Sequence, residues 1–208
     1  LRYCLAKNTT DPTLERKRHI VFAGDHGVAR SGVSAFPPEV TPQMVRNMLA
    51  GGAAINVLTR HAGAEVRVVD VGVADPLDGA GGLIRRKVAP GTADLSQRNA
   101  MSPEQCRQAL DAGEEQAEEA ARDGVDILSV GEMGIGNTTP AAALFAALLP
   151  CTPDEAVGRG TGVDDATLEH KRKVVEDALE LQALRTHDGH AALTAVGGLE
   201  IAAMTGLM

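Results

Sequence analysis

Tryptophan is absent from the 208 residues, and one tyrosine and three phenylalanines are the whole aromatic complement. A chain of this length buries a full core, which here has to be built from Val, Leu, Ile, Ala and Met. Positive charge is also in deficit: 20 Lys and Arg against 28 Asp and Glu leave a net charge of -8. With only two short basic runs, Arg16-Lys17-Arg18 and Arg85-Arg86-Lys87, no electrostatic footprint for nucleic acid exists. The three cysteines, Cys4, Cys106 and Cys151, show no metal spacing, and an odd number closes no disulfide framework; that usage fits a reducing cytoplasm. No apolar run approaches the length that crosses a membrane. A signal-peptide pattern is lacking too. The sequence opens on Leu1 rather than Met and stops inside the apolar Ile201–Met208 stretch, so a piece of a longer chain is expected.

What is present is an alternation of short apolar runs and helical patterns. His19–Ala23, Glu65–Val73 and Val125–Val130 read as strands, the first and last of them buried. Thr41 with Pro42 opens a helical stretch reaching Leu58, interrupted at Gly51-Gly52 and so either one helix or two. Ser102-Pro103-Glu104-Gln105 starts a helix to about Asp123. Helices are also expected over Ala141–Leu149, Asp165–Leu184 and, broken at Gly197-Gly198, Asp188–Met208, with a long loop over Asp75–Arg98. Strands alternating with helices predict an α/β fold, a Rossmann-like parallel sheet with helices on both faces.

Gly131–Pro140 stands between a strand and a helix, where free backbone N–H groups hold anions. Gly134 and Gly136 permit the turn and expose amides, while Asn137, Thr138 and Thr139 serve as helix caps or as ligand contacts. Glu132 is the discordant member: beside a phosphate it repels, so it either points away or acts on another part of the ligand. A second glycine loop, Val157–Asp165, precedes a helix that carries Lys171 two turns on; Lys171 or Arg159 supplies a phosphate's counter-charge, or else both are solvated. Asp164 and Asp165 read as caps of that helix. Neither glycine loop matches a Walker A or dinucleotide pattern. Asp25 and His26 have no second His or Cys at ligand spacing, so no metal site is expected.

Taken in order, Phe22–Val28, Gly32–Pro37, Val40–Val45, Gly51–Leu58, Arg86–Thr92, Gly131–Thr139, Gly158–Asp165 and Gly197–Ala202 resemble the nicotinate-nucleotide:5,6-dimethylbenzimidazole phosphoribosyltransferase family. The resemblance implies transfer of phosphoribose from nicotinate mononucleotide to 5,6-dimethylbenzimidazole in cobalamin biosynthesis, by a cytoplasmic homodimer without cofactor or metal. It implies that residues 19–208 form the transferase domain, truncated at its carboxyl side. Residues 1–18 would then be the remnant of a small helical second domain that is mostly missing. Glu132 takes the catalytic place among these residues, the family's base glutamate lying beyond Met208. Gly160, Thr161 and Gly162 contact the phosphate, with Lys171 behind them. Ser34, Gln43 and Met133 line the azole pocket, and Glu200 lies near the ribose; Gln43 and Glu200 read equally as ordinary helix residues. Two other readings stay open: a binding protein that has lost its base, and a nucleoside phosphorylase-like enzyme.

Overall fold

The computed structural model describes residues 2–184 and 188–208; Leu1, first residue of the expected 1–18 segment, lies outside them. Four strands, β1 (Lys17–Gly24), β2 (Ala64–Gly72), β3 (Ile84–Arg85) and β4 (Ile127–Met133), form one sheet in the order β3-β2-β1-β4. Every pairing is parallel. Parallel neighbours require crossovers. Helices α2 (Val40–Leu49) and α3 (Ala54–Ala62) carry the chain from β1 to β2, and α4 (Pro103–Arg122) carries it from β3 to β4. A short helix, α1 (Arg2–Ala6), precedes the sheet.

Side chains of β1 and β2 divide between two faces because successive strand residues point oppositely. Ile20, Phe22, Val69 and Val71 pack on Cys106, Ala109 and Ala112 of α4 and on Leu199, Ala202 and Ala203 of α9 (Leu199–Leu207). Ala23, Val68 and Val73 face the other way, onto Val45 of α2. Both faces are therefore covered, as the sequence predicts. A third cluster joins α5 (Thr138–Leu148), α7 (Asp165–Leu181) and α8 (Gly189–Val196), with the short α6 (Pro153–Ala156) against it.

The chain leaves β1 toward β2 and later returns past β1 to β4. Strand order thus reverses between β1 and β4, and open α/β sheets take ligands at the carboxyl ends of such a pair. Here those ends are Gly24-Asp25-His26 and Met133-Gly134.

Two elements correct the sequence reading, and a third resolves an alternative it left open. The last strand runs to Met133 instead of ending at Val130, because its register with β1 continues through Phe22↔Glu132 and Ala23↔Met133. It is also half-exposed rather than buried, being an edge strand among the described residues. Glu132 therefore sits on a strand, not in a turn. The expected Asp75–Arg98 loop contains β3, two residues long and held beside Val69 and Asp70. The stretch after Thr41 is two helices, parted where Gly51 takes a φ of 80° that favours glycine. Elsewhere the start signals hold: Ser102 Oγ accepts from the Gln105 N–H at 3.1 Å, and the Gln105 side-chain oxygen accepts from the Ser102 N–H at 2.9 Å.

Candidate active site

The crevice floor is made of groups that exclude side chains. A Cβ on Gly134 would lie 2.3 Å from the Gly24 carbonyl oxygen and 3.0 Å from His26 Nε2. One on Gly198 would lie 2.6 Å from Glu200 Oε1 and 2.7 Å from His26 Cε1. These glycines let β1, β4 and the start of α9 converge. Between them His26 Nε2 stands 2.9 Å from Glu200 Oε1, with both side chains wholly buried. Burial works against the imidazolium, but Glu200, Asp25 and Glu132 together hold the His26 pKa above its ordinary value. Asp25 is fixed separately: Oδ2 accepts from the Ala74 N–H at 2.7 Å, and its backbone is laced to Gly72 and Thr92.

Glu132 lies at the crevice mouth, one residue before the end of β4. Desolvation, reinforced by the neighbouring Glu200 charge, holds its carboxyl above the usual glutamate range, against opposing pulls from Asn137 and His26. Asn137 makes no helix-capping bond; its amide donates to Glu132 Oε2 instead. Gly136 adopts a φ of 87° against Ala29, so the chain reverses there into α5.

Lys171 occupies a second corner of the crevice. Lys171 of α7 is 1% exposed and has no carboxylate partner among the described residues. Its Nζ donates to Thr138 Oγ1 at 2.6 Å and to the Gly158 carbonyl at 3.2 Å. Gly160, at a φ of 51°, presses on Thr138 and Lys171: a Cβ there would be 2.8 Å from Thr138 Oγ1 and 3.2 Å from Lys171 Nζ. Burial pushes the Lys171 pKa down. Arg159 is occupied elsewhere, donating to Asp165 and to the Val163 carbonyl, and Asp164 caps α7 at the Thr167 N–H. Thr161 and Gly162 are exposed beside this corner.

Of the residues singled out in the sequence, Glu132 and Asn137 are bonded together, as are Thr138 and Lys171, with Gly134, Gly136 and Gly160 shaping the turns around them. Met133 ends β4 beside Ala23. Ser34 accepts from the Phe36 N–H, and Gln43 is exposed on α2; neither is hydrogen-bonded to the others. Glu200 faces His26 under the floor rather than open space. Sequence reasoning missed two features. One is Thr41, whose buried hydroxyl accepts from the Ile135 N–H at 3.0 Å and ties α2 to the glycine turn. The other is a hollow of about 270 Å³ rimmed by Glu132, Asn137 and Thr138 and walled by Leu144, Phe145, Ile201 and Met204. The helical spacing of Leu144 and Phe145 one turn beyond Pro140 is the only signal that pointed to it. A larger hollow, about 730 Å³, opens between the turn Gly27–Ser31 and Pro90–Arg98, and none of the expected site residues lines it. Among the described residues no group of three or more His, Cys, Asp or Glu side chains is placed to hold a metal, and no helix is long and apolar enough to cross a membrane.

A parallel α/β sheet with a strand-switch crevice at its carboxyl edge, flanked by a buried lysine and a glycine loop, defines the class of α/β proteins that bind ligands at that edge. A family model described as phosphoribosyltransferase matches residues 1–208. The nicotinate-nucleotide–dimethylbenzimidazole phosphoribosyltransferase of Pelodictyon phaeoclathratiforme is 52% identical over 208 residues, 100% of this chain and 59% of that protein. The protein of the same name from Chloroflexus aggregans is 54% identical over 197 residues, 95% of this chain and 56% of that one. The crystal structure of CobT from Thermus thermophilus superposes with a TM-score of 0.91 at 48% identity, over 99% of this chain and 62% of that chain. The chain belongs to this phosphoribosyltransferase family and spans about 59% of the length of the curated relatives.

Proposed function

We propose that the full-length protein transfers the phosphoribosyl group of nicotinate mononucleotide to 5,6-dimethylbenzimidazole or a related azole, releasing nicotinate and α-ribazole 5′-phosphate. The observation that carries this reading is Lys171: a buried ammonium with no carboxylate partner among the described residues, bonded to Thr138 beside a glycine loop, suits a phosphate's counter-charge. In the reaction an azole nitrogen forms a bond to C1′ while the bond from C1′ to the pyridinium nitrogen breaks. Nicotinate departs with that electron pair, and the azole N–H proton passes to a base. Anchoring the phosphate at Gly160–Gly162 and Lys171 fixes C1′ for in-line attack.

Glu132 then has a consistent place. It stands apart from the phosphate corner and beside the apolar hollow, whose Leu144, Phe145, Ile201 and Met204 walls suit a flat ring. Burial and the neighbouring Glu200 charge raise its pKa, the direction that suits a carboxyl exchanging a proton with the substrates. On the resemblance, Ser34, Gln43 and Met133 complete the ring pocket, and a glutamate past Met208 is the principal base. We place the enzyme in the cytoplasm as a homodimer, residues 19–208 being its transferase domain and 1–18 part of a helical appendage; the three free thiols agree with a reducing compartment.

Full-length protein mixed with nicotinate mononucleotide and dimethylbenzimidazole should release nicotinate stoichiometrically with α-ribazole phosphate, followed by chromatography. No release with any azole would end the proposal.

A further inference from the structure

The geometry points to His26 as a positioning residue for this transfer: by pairing with Glu200 beneath the crevice, it leaves Glu132 as the carboxylate, among the described residues, that stands at the crevice mouth without a basic partner. The inference rests on the function proposed above. It begins from a crowding of charge. Asp25 follows β1, Glu132 ends β4 and Glu200 opens α9, so the reversal of strand order brings three carboxylates to one place. Glu200 is 0% exposed, and neither of its oxygens accepts a hydrogen bond from backbone or hydroxyl. Its single counter-charge among the described residues is His26, 2.9 Å away and equally buried.

The surroundings are built to keep that contact. Gly24, Gly134 and Gly198 all lack the side chain that would occupy the space of Glu200 or His26: a Cβ on Gly24 would lie 3.1 Å from Glu200 Oε2. Among the described residues the titratable groups that act on His26 are acidic: Asp25 from its own turn, Glu132 from β4 and Glu200 from α9. With the imidazole protonated, the His26–Glu200 pair is neutral and Asp25 is engaged by the Ala74 N–H. Asp25 stays under the floor, its other oxygen buried without a hydrogen-bond partner, and Glu132 is then the carboxylate at the mouth beside the cationic pyridinium leaving group. Without His26, Glu132 and Glu200 would be two like charges in a desolvated site, and one of them would take up a proton.

The test uses the full-length enzyme. In His26→Asn the acid limb of the kcat profile should move to higher pH by about one unit, with kcat at pH 7 down about tenfold or more and KM for nicotinate mononucleotide within about threefold. Adding Glu200→Gln should bring the acid limb back, because the surplus carboxylate is then gone. A residue that only fills space would lower kcat or stability without moving the limb. An unmoved limb in His26→Asn, or one that the second substitution fails to restore, would overturn the inference.

Nitrogen-15 NMR of the unaltered protein decides the pair without any variant being made to turn over. The imidazole resonance that Glu200→Gln displaces should show both ring nitrogens protonated at pH 7. A neutral ring there sinks the inference. Because this signal needs no substrate, it separates failure of the pair from failure of the assigned reaction, which nicotinate release by the wild type reports.

Discussion

A lysine ammonium removed from water is tolerable when an anion comes to it, and an uncompensated buried charge costs about 3–5 kcal/mol. Lys171 is in that condition in the ligand-free protein. Lys171→Met should therefore leave the melting temperature without nucleotide unchanged or higher, and should abolish the stabilisation that the proposed function expects from nicotinate mononucleotide, about 2.7 kcal/mol at a hundred times Kd. Scanning calorimetry with and without nucleotide checks both halves. The pH dependence has a definite sign. Since burial lowers the Lys171 pKa, its charge is lost as pH rises at a point below 10.5, and nucleotide affinity should fall there; Lys171→Arg should retain affinity past that point. Gly160→Asp should abolish nucleotide binding by isothermal titration, since the new carboxylate would repel the phosphate and its Cβ would press on Thr138 Oγ1. Lys171 and Gly160 were legible in the sequence because loop and lysine are separated by two helical turns, a local spacing. The His26–Glu200 pair was not, because only the fold joins the end of β1 to the start of α9.

At the scale of elements, α4 and α9 meet backbone to backbone on one face of the sheet. A Cβ on Gly113 would stand 1.8 Å from the Ala203 carbonyl oxygen, and one on Gly206 would stand 2.0 Å from that of Leu110. Neither neighbour is a flexible side-chain end, so the helices would have to part. Gly113→Ala should destabilise by about 1–3 kcal/mol or more, and Gly206→Ala by a similar amount, read from the midpoint of urea unfolding. Substitution of both should cost less than the sum, because one displacement of α9 relieves both contacts. The helix start at Ser102 was legible because a capping box is a four-residue chemistry. Strand ends were not: β4 continues through Gly131, a poor strand former, because β1 beside it supplies the ladder, and β3 is too short to carry a pattern.

At the scale of the molecule, the alternation of strand and helix was enough to predict a covered parallel sheet, whereas strand order depends on which neighbour each crossover reaches. β4 has β1 on one side and no strand on the other among the described residues, with Ile127 40% exposed along it. Phe145 and Leu149 are exposed nearby on and after α5. An edge of this kind is a template for other chains. The 208-residue chain alone should therefore associate with itself as concentration rises in sedimentation velocity, and Ile127→Lys should suppress the association without lowering the melting temperature by more than about a degree or two.

The glycines of the crevice floor have a consequence for how such a protein can change. Gly24 and Gly198 owe their missing side chains to the room taken by Glu200. A methyl group at position 24 would press on the Glu200 carboxylate at 3.1 Å, and one at position 198 on Glu200 at 2.6 Å, so both positions resist a larger residue while the carboxylate remains. Once Glu200 is shortened to alanine, position 24 is relieved of its nearest contact, while a methyl group at position 198 still meets His26 Cε1 at 2.7 Å. The route to a different chemistry in this crevice thus passes through position 200 first, and the order in which replacements arrive decides which of them survive.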